Sequence, residues 1–295
     1  MGRVSARHRL LALLTTLIWG CNFVAIDIGV ADVPPLLLVA LRFVVVLLPA
    51  IFFVRKPPVA WKWIILVGLF MSVGQFSLLY LSLWLGMPAG LASLVLQSQA
   101  ILTVAIAALA LHERPTLAQV TGLTVGIVGL FVVGVGRDAA TPAFAFIVTL
   151  AAALSWAIGN IVSRMAGSAS GLSMTVWSAL VVPIPLFLLS LLVDGPSLVF
   201  STLTHLTLAA LLSTAYTAYL ASLVGYSIWN SLLARYPAGA VTPFSLLIPV
   251  FGMAAAWLLL GEQPNTWEVI GGVILLLGVA ITTGLLGSPR RSRVK

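Results

Sequence analysis

"LHERP" at residues 111–115 and "LGEQP" at 260–264 decide how this chain folds. Each ends a long apolar stretch on an acid followed two places later by a proline, and the two acids, Glu113 and Glu262, stand 149 positions apart. The same offset carries Pro88, Ala89 and Gly90 onto Pro237, Ala238 and Gly239. It also carries Pro115 onto Pro264, Gly122 onto Gly271 and Gly129 onto Gly278. So many matched residue types mean that one unit has been used twice.

The stretches around these phrases set the solvent. Of 295 residues, 61% are hydrophobic and 7% charged, where soluble domains carry about a quarter charged. Apolar runs of the ~20 residues that span a bilayer as a helix follow one another with only short interruptions. They predict ten spans, at roughly 8–30, 35–54, 62–85, 88–111, 115–136, 143–167, 172–193, 203–233, 237–260 and 264–286. The fold class is therefore all-α integral membrane, with residues 1–140 forming one five-helix repeat and 141–295 the other. Five is odd, so the second copy enters the bilayer in the opposite sense and the repeat is inverted. Inverted repeats around a midplane site are a recurring plan of secondary transporters working by alternating access.

Charge sets the orientation. With a cytoplasmic N-terminus, Arg3, Arg7, Arg9, Arg55, Lys56, Lys62, Arg114, Arg164, Arg235, Arg290, Arg291, Arg293 and Lys295 fall on the inner side, and only Arg137 clearly outside. This is the positive-inside pattern, and it predicts that both termini are cytoplasmic. The net charge of +8 thus marks topology, and no segment outside the spans is long enough to bind nucleic acid. Cys21 lies in the first span, so no disulfide is expected. That span has a basic start but no A-x-A cleavage site after it and is expected to be retained. Glu113 and Glu262 each precede a proline suited to the first turn of a helix, which predicts that they favour the N-terminus of the helix that follows. "GLTVG" at 122–126 predicts close helix contact.

Taken together, these residues resemble a known group, the EamA type of the drug/metabolite transporter superfamily. "LIWGCNFVAI" at 17–26 looks like the family's Trp-Gly-x-Asn-Phe signature, "LSWAIGNIVSR" at 154–164 like its second-copy counterpart, and "HERP" and "GEQP" like its paired turns. The resemblance covers nearly the whole chain and is nearest to bacterial exporters of aromatic amino acids and methyl viologen. It implies export of amino acids and related metabolites across the bacterial inner membrane through a central cavity. One departure is visible: Trp19 and Asn22 are three apart, whereas Trp156 and Asn160 are four apart.

Polar groups inside spans are costly unless they face protein or water, so they mark the candidate pathway. Trp19 with Asn22, and Trp156 with Asn160, each share a helical face, pairing an apolar ring with an amide. They suit substrate or interhelical bonding equally. Span eight carries a stripe of Tyr216, Tyr219, Ser222, Tyr226 and Asn230 at helical spacing. Tyr80, Gln97 and Gln99 add polar positions in spans three and four. Arg42 is the one cation well inside a span, placed either to receive a carboxylate or to snorkel outward. The set suits a zwitterion with an apolar or aromatic side chain, by stacking and cation–π contact.

Other functions fit less well. The three histidines, His8, His112 and His205, lie far apart near span ends, without the spacing of an intramembrane metalloprotease. An enzyme is not expected, nor is a metal or cofactor. The chain supplies no ring of like residues for a channel. The rival cargoes are nucleosides, organic cations and other small metabolites. No carboxylate falls at the middle of a span, which predicts movement without an intramembrane proton relay. The expected working unit is a monomer in contact with the bilayer and a small-molecule substrate.

Overall fold

A computed structural model describes residues 5–167 and 171–285. Arg3 and the basic tail from Arg290 to Lys295 lie outside the described residues. Ten apolar helices in chain order account for most of the rest. They are α1 (Ala6–Asp32), α2 (Pro35–Phe53), α3 (Trp61–Trp84), α4 (Ala89–Ala110), α5 (Leu117–Gly136), α6 (Ala143–Met165), α7 (Leu172–Val193), α8 (Leu208–Arg235), α9 (Gly239–Leu260) and α10 (Thr266–Thr282). Among the described residues the first nine are long and apolar enough to cross a membrane, and α10 is a shorter apolar helix. The eighth span differs from its predicted start at 203. Residues Pro196–Thr204 form a separate short helix, and Thr207 then caps α8, accepting the Ala210 N–H at 3.1 Å while donating to Asp32 at 2.5 Å.

The two copies interlock. Helix α1 packs on α8 and α9 of the second copy, and α6 packs on α3 and α4 of the first. Pairs α2 with α7, α4 with α9 and α5 with α10 face each other across the same pseudo-symmetry. The α5–α10 pair approaches backbone to backbone. A Cβ at Gly271 would lie 2.8 Å from the Val133 nitrogen and 2.9 Å from the Gly129 carbonyl oxygen, which is the small-residue contact expected from the glycines.

Helix ends repeat as well. Thr116 with Gln119 and Asn265 with Glu268 each form a capping box, satisfying orphan N–H groups at the starts of α5 and α10. Glu113 and Glu262 therefore do not cap the helices that follow them, as their position before proline suggested. Thr116 and Asn265 occupy that role, and the glutamates reach elsewhere.

Four helices are irregular at matching depths. Helix α3 turns π-helical over Gly68–Gly74 and α8 over Tyr216–Gly225, corresponding stretches of the two copies. Helix α4 breaks at Leu96–Gln97, and α9 opens into a 3-10 stretch, Thr242–Leu247, containing Pro243. Each π segment is buttressed from the other copy. The Trp19 Nε1–H donates to the Ala221 carbonyl at 2.9 Å, and the Ser155 hydroxyl to the Phe70 carbonyl at 2.8 Å. The two breaks are bridged as well, the Gln97 amide donating to the Ser245 carbonyl at 2.9 Å.

Candidate functional site

Irregular backbone inside a membrane protein is tolerated where it is buried in protein or lines a cavity. Here the four distorted stretches surround a cavity of about 630 Å³, within the range of small-molecule sites. Eight spans line it, while α5 and α10 contribute nothing. Its walls reach Ser163 and Leu233, two residues short of the ends of α6 and α8. On α7 and α9 the lining begins at Met174 and Thr242, two and three residues into those helices, and stops at Ser178 and Ile248, 15 and 12 residues before their other ends. The cavity thus faces the end of the bundle that carries Arg9, Arg55, Lys62, Arg114, Arg164 and Arg235.

Arg42 is the decisive group in the wall. It is 2% exposed, and its guanidinium does not snorkel. One terminal nitrogen donates to the Tyr80 hydroxyl at 3.1 Å and the other to the Ser222 hydroxyl at 3.0 Å. The Phe76 ring lies 4.1 Å from the guanidinium carbon, and the Phe43 ring 5.6 Å. Nε has no partner, and among the described residues no carboxylate lies within ion-pair distance of Arg42. A buried cation held by neutral hydroxyls and rings keeps most of its desolvation cost. An anionic group entering the cavity would offset that cost.

Aromatic side chains also line the cavity. Trp19 stands 5.2 Å from the Tyr226 ring and 5.3 Å from Trp229. Two amides on the lining carry unpaired atoms, Asn22 through Oδ1 and Asn230 through Nδ2. Asn160 differs, donating to Gln99 at 3.0 Å and Thr103 at 3.1 Å and so tying α6 to α4. The site therefore presents a cation, amide acceptors and donors, and a cluster of tilted aromatic rings, with no Asp, Glu or His among the described residues of its lining.

The sequence of this fold has known relatives. The EamA-like transporter family matches residues 8–135 and again residues 143–284. The chain belongs to the EamA-like transporter family. It is 41% identical over 286 residues to a probable amino-acid metabolite efflux pump of Escherichia coli (strain K12), covering 94% of this chain and 95% of that one. A probable terminal-alkyne amino-acid exporter of Streptantibioticus cattleyicolor is 31% identical over 198 residues, covering 66% and 64%. A crystal structure superposes with a TM-score of 0.62 at 21% identity, covering 97% of this chain and all of that one, a likeness of fold. The chain is a multi-pass inner-membrane transporter and not an enzyme.

Ten of the thirteen residues singled out in the sequence lie on the cavity of this EamA-like transporter: Trp19, Asn22, Arg42, Gln97, Gln99, Trp156, Asn160, Ser222, Tyr226 and Asn230. Three do not. Tyr80 is fully buried behind Arg42. The Tyr216 hydroxyl donates to the Ile18 carbonyl at 2.9 Å, and Tyr219 is 48% exposed on the flank of α8. The stripe on span eight assumed α-helical phase. The π segment, with its i→i+5 bonding, shifts that phase and turns Tyr216 and Tyr219 off the face that Ser222, Tyr226 and Asn230 keep. Phe76, Gln75 and Trp229 were missed. Of these, Gln75 was findable as a polar residue in an apolar span, and it is 2% exposed.

Proposed function

We propose that this transporter exports amino acids with apolar or aromatic side chains, and that the basic end of the bundle is cytoplasmic. One observation carries the choice of cargo, the buried Arg42, which no carboxylate among the described residues neutralises. The substrate carboxylate would meet its guanidinium, the ammonium the Asn22 Oδ1, and the side chain the Trp19, Tyr226 and Trp229 rings. The same charge disfavours organic cations, which would be repelled at close range in a site of low dielectric. Relatives described as an amino-acid metabolite efflux pump and an amino-acid exporter support the reading. So does the basic end, which carries the Lys and Arg excess expected on the cytoplasmic side. The walls come from eight helices of one chain, which supports a monomer as the working unit, with residues 1–140 and 141–295 as its two halves.

Counterflow in proteoliposomes tests this. Vesicles loaded with unlabelled amino acids should take up labelled phenylalanine. Free phenylalanine should compete, and phenylalanine methyl ester, which keeps the ring and ammonium but lacks the carboxylate, should not. Equal competition by the ester would overturn the role given to Arg42 and point to organic cations.

A further inference from the structure

The two copies agree in sequence at Glu113 and Glu262 but differ there in structure, in one respect only. The turns themselves match. Glu113 N–H donates to the Ala107 carbonyl at 3.5 Å, and Glu262 N–H to the Ala256 carbonyl at 3.3 Å. His112 and Gly261, equivalent positions, both hold a left-handed backbone, with φ of 52° and 74°. What differs is the partner of each carboxylate.

Glu262 reaches across to the first copy. One oxygen accepts the Ala89 N–H and the other the Gly90 N–H, both at 2.9 Å, so the start of α4 is pinned to the end of α9. The docking is close, since a Cβ at Gly90 would lie 3.1 Å from the Met253 Cα and 3.3 Å from the Ala256 Cβ. At the other end of the bundle the equivalent contact is open. A Cβ at Gly239 would meet nothing within 4 Å. Glu113 instead pairs with Arg164 at 2.6 Å, both side chains about half exposed. A half-exposed pair contributes little and is easily given up.

We propose that Glu113 and Glu262 are alternating latches of the transport cycle. Glu262 shuts the end away from the basic side by holding the Pro88-Ala89-Gly90 turn, as seen. In the opposite state Glu262 lets go, and Glu113 leaves Arg164 to hold the Pro237-Ala238-Gly239 turn, shutting the basic end. This accounts for why a "PAG" turn and a glutamate recur together in both copies, since each glutamate serves the turn of the other. It agrees with the direction of the cavity, which is open on the side whose latch is undone. The proposal rests on the alternating-access reading of the fold and not on the identity of the cargo.

Distances between spin labels test it without any substrate. With Cys21 replaced by alanine, one labelled pair at Trp84→Cys and Leu259→Cys reports the far end. A second at Leu109→Cys and Ala234→Cys reports the basic end. Glu262→Gln removes the charge from the closed latch and Arg164→Ala frees Glu113. Both should lengthen the far-end distance and shorten the basic-end one: Glu262→Gln should change the ratio of the two states by about tenfold or more, as loss of a charge-assisted hydrogen bond implies, and Arg164→Ala by about two- to fivefold, as loss of a half-exposed pair implies. Glu113→Gln should leave the resting state more dominant still. Unchanged distances in folded Glu262→Gln protein would overturn the proposal, as would Arg164→Ala and Glu113→Gln shifting the states in the same direction. Arg164 and Glu113 are surface residues, so the second comparison survives if Glu262→Gln fails to fold. Failure of amino-acid counterflow would leave these distances, and the latch, untouched.

Discussion

At the scale of single residues, the cavity separates groups that hold the protein together from groups left for something else. Arg42 belongs to the second kind, and its loss should cost affinity rather than stability. Arg42→Gln is expected to raise the KM for phenylalanine counterflow roughly 10- to 100-fold, the value of a charge-assisted hydrogen bond. Its thermal midpoint should stay or rise, because an unneutralised buried charge is removed. Arg42→Lys should fall between, keeping the charge but not the planar fork. The two asparagines give the complementary contrast. Asn160 bonds Gln99 and Thr103, so Asn160→Leu should lose about 0.6–1.7 kcal/mol of stability, the span measured for interhelical bonds in membranes. Asn22, whose Oδ1 is unpaired, should lose transport affinity on the same change with its melting temperature nearly unmoved. The sequence picks out both as polar residues in apolar spans. It leaves them equivalent because their difference lies on α4, where Gln99 and Thr103 happen to face Asn160. A drop in melting temperature for Asn22→Leu as large as for Asn160→Leu would remove the distinction.

Among the elements, regular helix forms the frame and irregular helix forms the site. Helices α5 and α10 are unbroken, stay off the cavity and meet through Gly122, Gly126, Gly129, Gly271 and Gly278. Apolar length, proline and glycine made these elements and the close contact of α5 legible from sequence, since each signal is local, but not that α10 is its partner. Gly271→Val is expected to push α10 away from the Gly129 and Val133 backbone, destabilising the protein by about 1–3 kcal/mol, as overpacking does. A thermal melt in detergent would show it, and an unchanged midpoint would mean that the pair is not tightly seated. The site elements were harder to foresee. A π segment is stabilised by what receives its displaced carbonyls, here Trp19 at Ala221 and Ser155 at Phe70. Those partners lie 202 and 85 residues away. Helical periodicity holds no record of them, so Tyr216 and Tyr219 were placed on a face that the π segment does not have. The breaks in α4 and α9 are similar, because only the fold brings Gln97 to Ser245.

On the scale of the whole molecule, the inverted repeat supplies two near-equivalent arrangements, and the lining determines what can drive exchange between them. A carrier coupled to protons needs a group that gains and loses one while facing the substrate path, commonly Asp, Glu or His. Among the described residues none stands on this lining. Arg42 does not serve, because a guanidinium stays protonated in proteins. A zwitterionic amino acid bound at Arg42 adds no net charge to the moving protein, and the arginine crosses no part of the field that it does not cross again on return. Neither a proton gradient nor a membrane potential therefore has a handle on net flux, and the cargo gradient alone should set its direction. In proteoliposomes, efflux of preloaded phenylalanine should proceed at the same rate with or without an imposed pH difference, and with or without a potassium diffusion potential. Accumulation above the external concentration under either gradient would show that a charge or proton moves with the cargo. The carboxylates to test next would then be Asp27 in α1 and Glu262, close to it at the far latch.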